Sequence, residues 1–203
     1  AAFLVDVRLV DAAESALVAA IAAVRKNPKA LIKRLEERLE HFKGKDYYPP
    51  ERGGKVAVAT KEGTAAVHDA ITYVSKLRAL PDLYEPVDLI ARRALRLAAE
   101  DHLVDKGELG TIGHDGRDGS SSSDRQSRYG VWSGACGECL WFGREGSSSE
   151  AVVEDLIIDD NVRDRGHRLC LFDERYKVAV AKIGAHKIFG SMAVIEFATA
   201  FEG

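Results

Sequence analysis

Two histidines and a glutamate stand in short, glycine-punctuated segments of this 203-residue chain: Gly113-His114-Asp115-Gly116, Gly137-Glu138-Cys139 and Arg165-Gly166-His167-Arg168. Glycine lets the backbone bend, so each segment can present one polar side chain. Neutral imidazoles bind divalent metals, and carboxylates complete or orient such a shell. The three segments are therefore candidates for one metal-binding or acid–base pocket, provided the fold brings them together.

Other chemistry is weaker. Ser120 to Ser123 follow His114, but no G-x-S-x-G elbow accompanies them, and a serine run reads as loop. Asp115, Asp118 and Asp124 lack the alternate spacing of an EF-hand loop, and their simpler use is to cap turns such as Asp118-Gly119. Cys136-Gly-Glu-Cys139 has a C-x-x-C spacing, yet a zinc ribbon needs a second pair and only Cys170 remains. One disulfide plus a spare thiol fits an oxidising compartment. Arg125, Arg128 and Arg168 are expected to pair with acids around the pocket. Trp132 and Trp141 read as packing residues, and His41, His68, His102 and His186 as surface or hydrogen-bonded core.

The elements that must position these groups change character along the chain. Asp11 followed by Glu14 reads as a capping box, and Leu17, Ile21 and Val24 as one apolar helical stripe. Asn27-Pro28 ends that helix, and Leu31, Leu35 and Leu39 mark the next, whose Lys33, Arg34, Glu36, Glu37 and Arg38 face water. Residues 43–63 read as loop, and Val67, Ile71 and Val74 as a third helix ending near Pro81. A fourth runs from Pro86 to Asp105, with Ile90, Ala94, Leu97 and Ala98 inward, closed by Lys106-Gly107. Beyond it Gly137 to Phe142 reads as a strand, Ser149 or Glu150 to Ile158 as a helix, and Lys177 to Ile183 and Ser191 to Thr199 as two strands joined by a loop. Helices first and antiparallel strands later predict an α+β domain with helices packed on a sheet.

Composition narrows the class. Hydrophobic residues make up 46% and the formal net charge is −3, which suits a folded domain and gives no electrostatic case for nucleic acid. The longest apolar run, Ala16 to Val24, is too short for a transmembrane segment. The sequence starts Ala1-Ala2, which a removed targeting peptide would explain.

The order of these motifs resembles the CAP superfamily of cysteine-rich secretory proteins, venom antigens and plant pathogenesis-related proteins, in its bacterial and protist-like SCP branch. Gly113-His114-Asp115-Gly116-Arg117-Asp118-Gly119-Ser120 fits that branch's GH-x-G-x-DGS almost fully, Gly137-Glu138-Cys139 stands for GEN, and Gly166-His167-Arg168 for GHR, before a closing Val194-Ile195-Glu196-Phe197-Ala198. The likeness covers residues 86–203 as a CAP-like core, with residues 1–85 as an N-terminal helical part. It implies a three-layer α-β-α sandwich around a cavity lined by His114, Glu138, His167 and a second acid, Asp159, with Asp160 as the runner-up. It implies that the cavity can hold zinc or another divalent cation. Cys139 and Cys170 replace two family asparagines, which implies a disulfide between them. The protein so implied is secreted or lumenal, extracellular or in an organelle, and non-enzymatic. It would bind a small apolar ligand such as a lipid or sterol, a metal, or a protein partner. A structural subunit of a larger assembly, docking through an apolar stripe on residues 12–39, is the alternative, and a metal-dependent hydrolase comes third.

Overall fold

The structure, a computed structural model, describes residues 7–203, with side chains from residue 11 onward. The expectation drawn from the Ala1-Ala2 start lies outside the described residues. Among the described residues seven α-helices and six strands follow in order α1 (Val7–Lys26), α2 (Ala30–Leu39), β1 (Phe42–Lys43), β2 (Asp46–Tyr47), β3 (Val58–Ala59), α3 (Thr64–Lys76), α4 (Leu89–Leu109), α5 (Ser122–Tyr129), β4 (Val131–Gly143), α6 (Ser149–Ile158), α7 (Gly166–Leu171), β5 (Val178–His186) and β6 (Gly190–Glu202), with a short 3-10 turn at Pro50–Arg52.

The fold is α+β, a three-layer α-β-α sandwich. Its central sheet is antiparallel in the order β4-β6-β5, so β4 and β5 are edges. Side chains alternate across a strand. On one face Val178, Val180 and Ala198 pack against Ala91, Ala94 and Leu95 of α4. On the other, Ala179, Ala181, Ile195 and Phe197 join Leu17 and Ile21 of α1 and Val152, Val153 and Ile157 of α6. The apolar stripes of α2 and α3, Leu31 and Leu35 with Val67 and Val74, close into this same core. The stripe on residues 12–39 is thus consumed inside the chain. Among the described residues no helix is long and apolar enough to cross a membrane.

Several local expectations are corrected. Asp11 does not cap α1, which starts at Val7; Asp11 and Glu14 instead pair with Arg96 of α4, joining the two helical layers around the β5 edge. Residues 43–63 are not all loop: β1, β2 and β3 form a small antiparallel ribbon. Helix α4 starts after Asp88, whose side chain accepts from the N–H of Ile90 and Ala91, and it leaves Ile90 exposed. It runs through Gly107 to a left-handed Gly110. Gly107 serves close approach, since a Cβ there would lie 2.4 Å from the Ala185 carbonyl oxygen. The serine run opens a helix, α5: Ser121 accepts from the Asp124 N–H and Asp124 answers to the Ser121 N–H, a capping box.

Candidate functional site

The β4 edge is where the two helical layers meet again, and the chemistry-bearing residues collect there. Glu138 lies in the middle of β4, directly opposite Glu196 of β6, on the α4 and α5 side of the sheet. The loop between α4 and α5 carries His114 over this edge. His102 of α4, fully buried, holds that loop through a 3.0 Å hydrogen bond from Nε2 to the Gly113 carbonyl. His114 Nδ1 then meets Glu138 Oε1 at 2.7 Å. Arg125 Nη2 donates to the other carboxylate oxygen at 2.7 Å.

The second arm comes from the opposite layer. Helix α6 ends on Asp159, which adopts a left-handed conformation (φ 57°) that an Asp tolerates better than most residues. Its Oδ2 accepts from the backbone N–H of His167 at 3.0 Å and of Arg168 at 3.2 Å, capping α7. Its Oδ1 meets His167 Nδ1 at 2.7 Å. Asp159, not Asp160, is therefore the acid on the second histidine; Asp160 turns away and accepts from the N–H of Lys61 and Glu62. Asn161 and Arg165 are also left-handed, at φ 64° and 55°, so the turn that delivers His167 stores backbone strain. Arg165 is tied down by Glu62 and Asp69.

The result is two histidine–carboxylate pairs facing each other, with ring centroids 6.4 Å apart. Both carboxylates are withdrawn from solvent (1% side-chain exposure), whereas the His114 and His167 rings are 53% and 24% exposed. Burial opposes ionisation of Glu138, but the His114 hydrogen bond and the His102 and Arg125 charges outweigh it and hold the carboxyl below its usual range. An ionised carboxylate only accepts, so the His114 ring donates from Nδ1 and keeps an unprotonated Nε2 when neutral. This is the carboxylate–histidine arrangement found around metal ions, where the carboxylate fixes the ring and raises its basicity. Two imidazoles on one tetrahedral zinc ion have centroids roughly 5–5.5 Å apart, for Zn–N bonds of about 2.0–2.1 Å. The observed pair, at 6.4 Å, is wider, so the two rings would have to draw together by about 1 Å to share one such ion. Among the described residues no group of three or more His, Cys, Asp or Glu side chains is placed to hold a metal together. What the site presents is two histidine rings, each hydrogen-bonded through Nδ1 to a buried carboxylate.

The implied Cys139–Cys170 bridge is not formed: all three cysteines are free. The buried Cys139 Sγ faces the His167 carbonyl at 3.8 Å, and Cys170 Sγ faces the Glu138 carbonyl at 4.0 Å. Burial first, then the neighbouring Cys170 thiol, pushes the Cys139 thiol well above its usual range. The two thiols link β4 and α7 by reciprocal weak hydrogen bonds instead.

A groove of about 270 Å³ opens beside His167 and Asp159, with Phe42, Val58, Trp141 and Leu156 on its apolar side and Arg38, Asp155 and Asp160 on its charged side. Trp141 also donates from Nε1 to Asp155 at 3.0 Å. The three arginines pair with acids: Arg125 with Glu138, Arg128 with Asp101 and Asp118, Arg168 with Asp69. His186 is hydrogen-bonded core, as is His102.

Glu196 was not among the expected site residues. It is fully buried, accepts from Ser122 Oγ at 2.7 Å and Gln126 Nε2 at 2.8 Å, and burial followed by the Glu138 charge raises its pKa well above the ordinary range. Its sequence signal is one charged residue inside the otherwise apolar run Ala193-Val194-Ile195-Glu196-Phe197.

No protein-family profile and no curated protein matches the chain. Among solved structures, a 1.5 Å crystal structure of an extracellular protein containing an SCP domain, from Bacillus anthracis str. Ames, is similar at 16% identity with a TM-score of 0.41. The match covers 65% of this chain and 37% of that one, so the chain spans little more than a third of its length.

Proposed function

We propose that the chain is a non-enzymatic, CAP-type binding module whose His114 and His167 hold a divalent cation, zinc foremost. The observation that carries this is the pair of rings at 6.4 Å, each with Nδ1 taken by a carboxylate and Nε2 left for a ligand. Glu138 and Asp159 orient the rings. Zinc would supply a positive centre with open positions, to which a donor atom of a bound molecule can attach. The apolar side of the adjoining groove suits a small apolar ligand, which would lie along Phe42 and Trp141. The sequence resemblance supports an extracellular or lumenal setting. Since the apolar faces of α1 and α2 are spent in the core, a scaffold role has less to dock with.

Metal content and zinc titration calorimetry of the wild type and of His114→Ala/His167→Ala test this reading. One zinc bound by the wild type and lost by the double variant is the expected result. Equal binding, or none in either with both folded, would remove the metal from the proposal.

A further inference from the structure

Helix α5 stands behind the His114 arm, and its side chains do more than fill space. Arg125 is 1% exposed. Its Nη2 reaches Glu138 at 2.7 Å, while Nη1 donates to the carbonyls of Ser120 at 2.8 Å and His114 at 3.1 Å. One guanidinium therefore joins the loop that carries His114 to the strand that carries its carboxylate. Those two parts must keep a fixed relation for the ring to stay on Glu138. On the same helix Ser122 and Gln126 donate to Glu196 of β6, the cross-strand partner of Glu138, and so seat α5 on the sheet. A planar guanidinium with donors in fixed directions can serve both demands at once, whereas an ammonium is a point charge on a flexible stem. On the other arm Arg165 and Arg168 donate to the carbonyls of Asp159, Ile157 and Ile158, while the Asp159 carboxylate itself is held by backbone N–H groups.

We propose that Arg125, seated through Ser122 and Gln126 on Glu196, is a positioning residue that locks the His114–Glu138 pair in its ligand-ready arrangement. The proposal rests on the two-histidine metal reading for its purpose but not for its geometry. Arg125 acts on His114 alone, and a lysine in its place keeps the charge but loses the fork.

The test uses Arg125→Lys and Arg125→Met in the full chain, read by ring-nitrogen NMR of the metal-free protein at fixed pH and by zinc titration. In the wild type both rings are expected in the Nδ1–H form with low-field proton signals. Either variant should lose the His114 signal and keep that of His167. Zinc affinity should fall about 10–100-fold, the usual cost of removing a partner that orients a ligand. In a His114→Ala background the same substitutions should change residual affinity less than twofold. An unchanged His114 signal, an equal loss at His167, or a full effect without His114 would each overturn the proposal. Should Arg125→Met fail to fold, the lysine variant decides. Should the wild type bind no zinc, the metal reading falls while the NMR comparison still decides the role of Arg125.

Discussion

Asp159 shows how much one residue can settle. It ends α6 in a left-handed turn, caps α7 with one oxygen and fixes His167 with the other. An Asp is one methylene shorter than Glu, yet it reaches because the turn brings His167 back over it. Asn at this position has a single acceptor oxygen, so it either leaves one of these donors unpaired or turns its NH2 to the ring and forces His167 into the Nε2–H tautomer. Asp159→Asn should therefore cost about 1–3 kcal/mol in urea unfolding, the range for a buried polar group left unpaired, and displace the His167 ring signal. Unchanged stability would show that one oxygen suffices. In sequence the family resemblance favoured Asp159 with Asp160 as the runner-up. Their difference is a direction in space: one turns to His167, the next to the backbone of Lys61 and Glu62.

The elements behave differently from their composition. Helix α5 was hidden because Ser120 to Ser123 and the charged residues after them look like solvated loop. Its only periodic signal was Ser121 with Asp124 three residues on. Its buried side chains are Arg125 and Gln126, so hydrophobic periodicity could not reveal it. Removing the cap with Ser121→Ala should destabilise the protein by about 1 kcal/mol. It should also weaken zinc binding, because α5 carries Arg125; a stability loss with zinc affinity intact would uncouple the helix from the site. Helix α4 teaches the converse. Gly107 looked like a stop, yet the helix continues, because the missing side chain lets the β5 backbone come close at Ala185.

At the scale of the molecule, the sheet is wrapped by two helical layers tied around both of its edges. At β5 the tie is Glu14 with Arg96 and Lys182; at β4 it is the histidine site itself. Two carboxyl groups shifted in opposite directions, the partly exposed Glu62 and the buried Glu196, set opposite pH limits on this assembly. Glu62, held at about 2 by its Arg165 hydrogen bond, contributes stability that is present above the ordinary carboxylate range and lost as pH falls towards 2. Glu196 works the other way. Above its ordinary value of 4.5 the unfolded chain releases a proton that the folded chain retains, so stability declines as pH rises towards the raised folded value. Glu196→Gln keeps an acceptor for Ser122 and Gln126 and cannot ionise. Its melting temperature should fall less than that of the wild type as pH rises above the ordinary carboxylate range. Parallel curves would show that Glu196 does not keep its proton.

Sequence by itself determined the α+β class, the long helices and the strands of the central sheet, because burial imposes a period of 3.6 or 2 on apolar residues wherever an element has one wet face. It also singled out His114, Glu138 and His167, since glycine-flanked polar residues mark bends that present side chains. The tertiary structure decided between Asp159 and its runner-up Asp160, left Cys139 and Cys170 as free thiols, named Glu138 as the acid of Arg125, and placed Glu196 behind the first arm. These are matters of direction and distance between segments far apart in the chain, and neither residue type nor local periodicity encodes them.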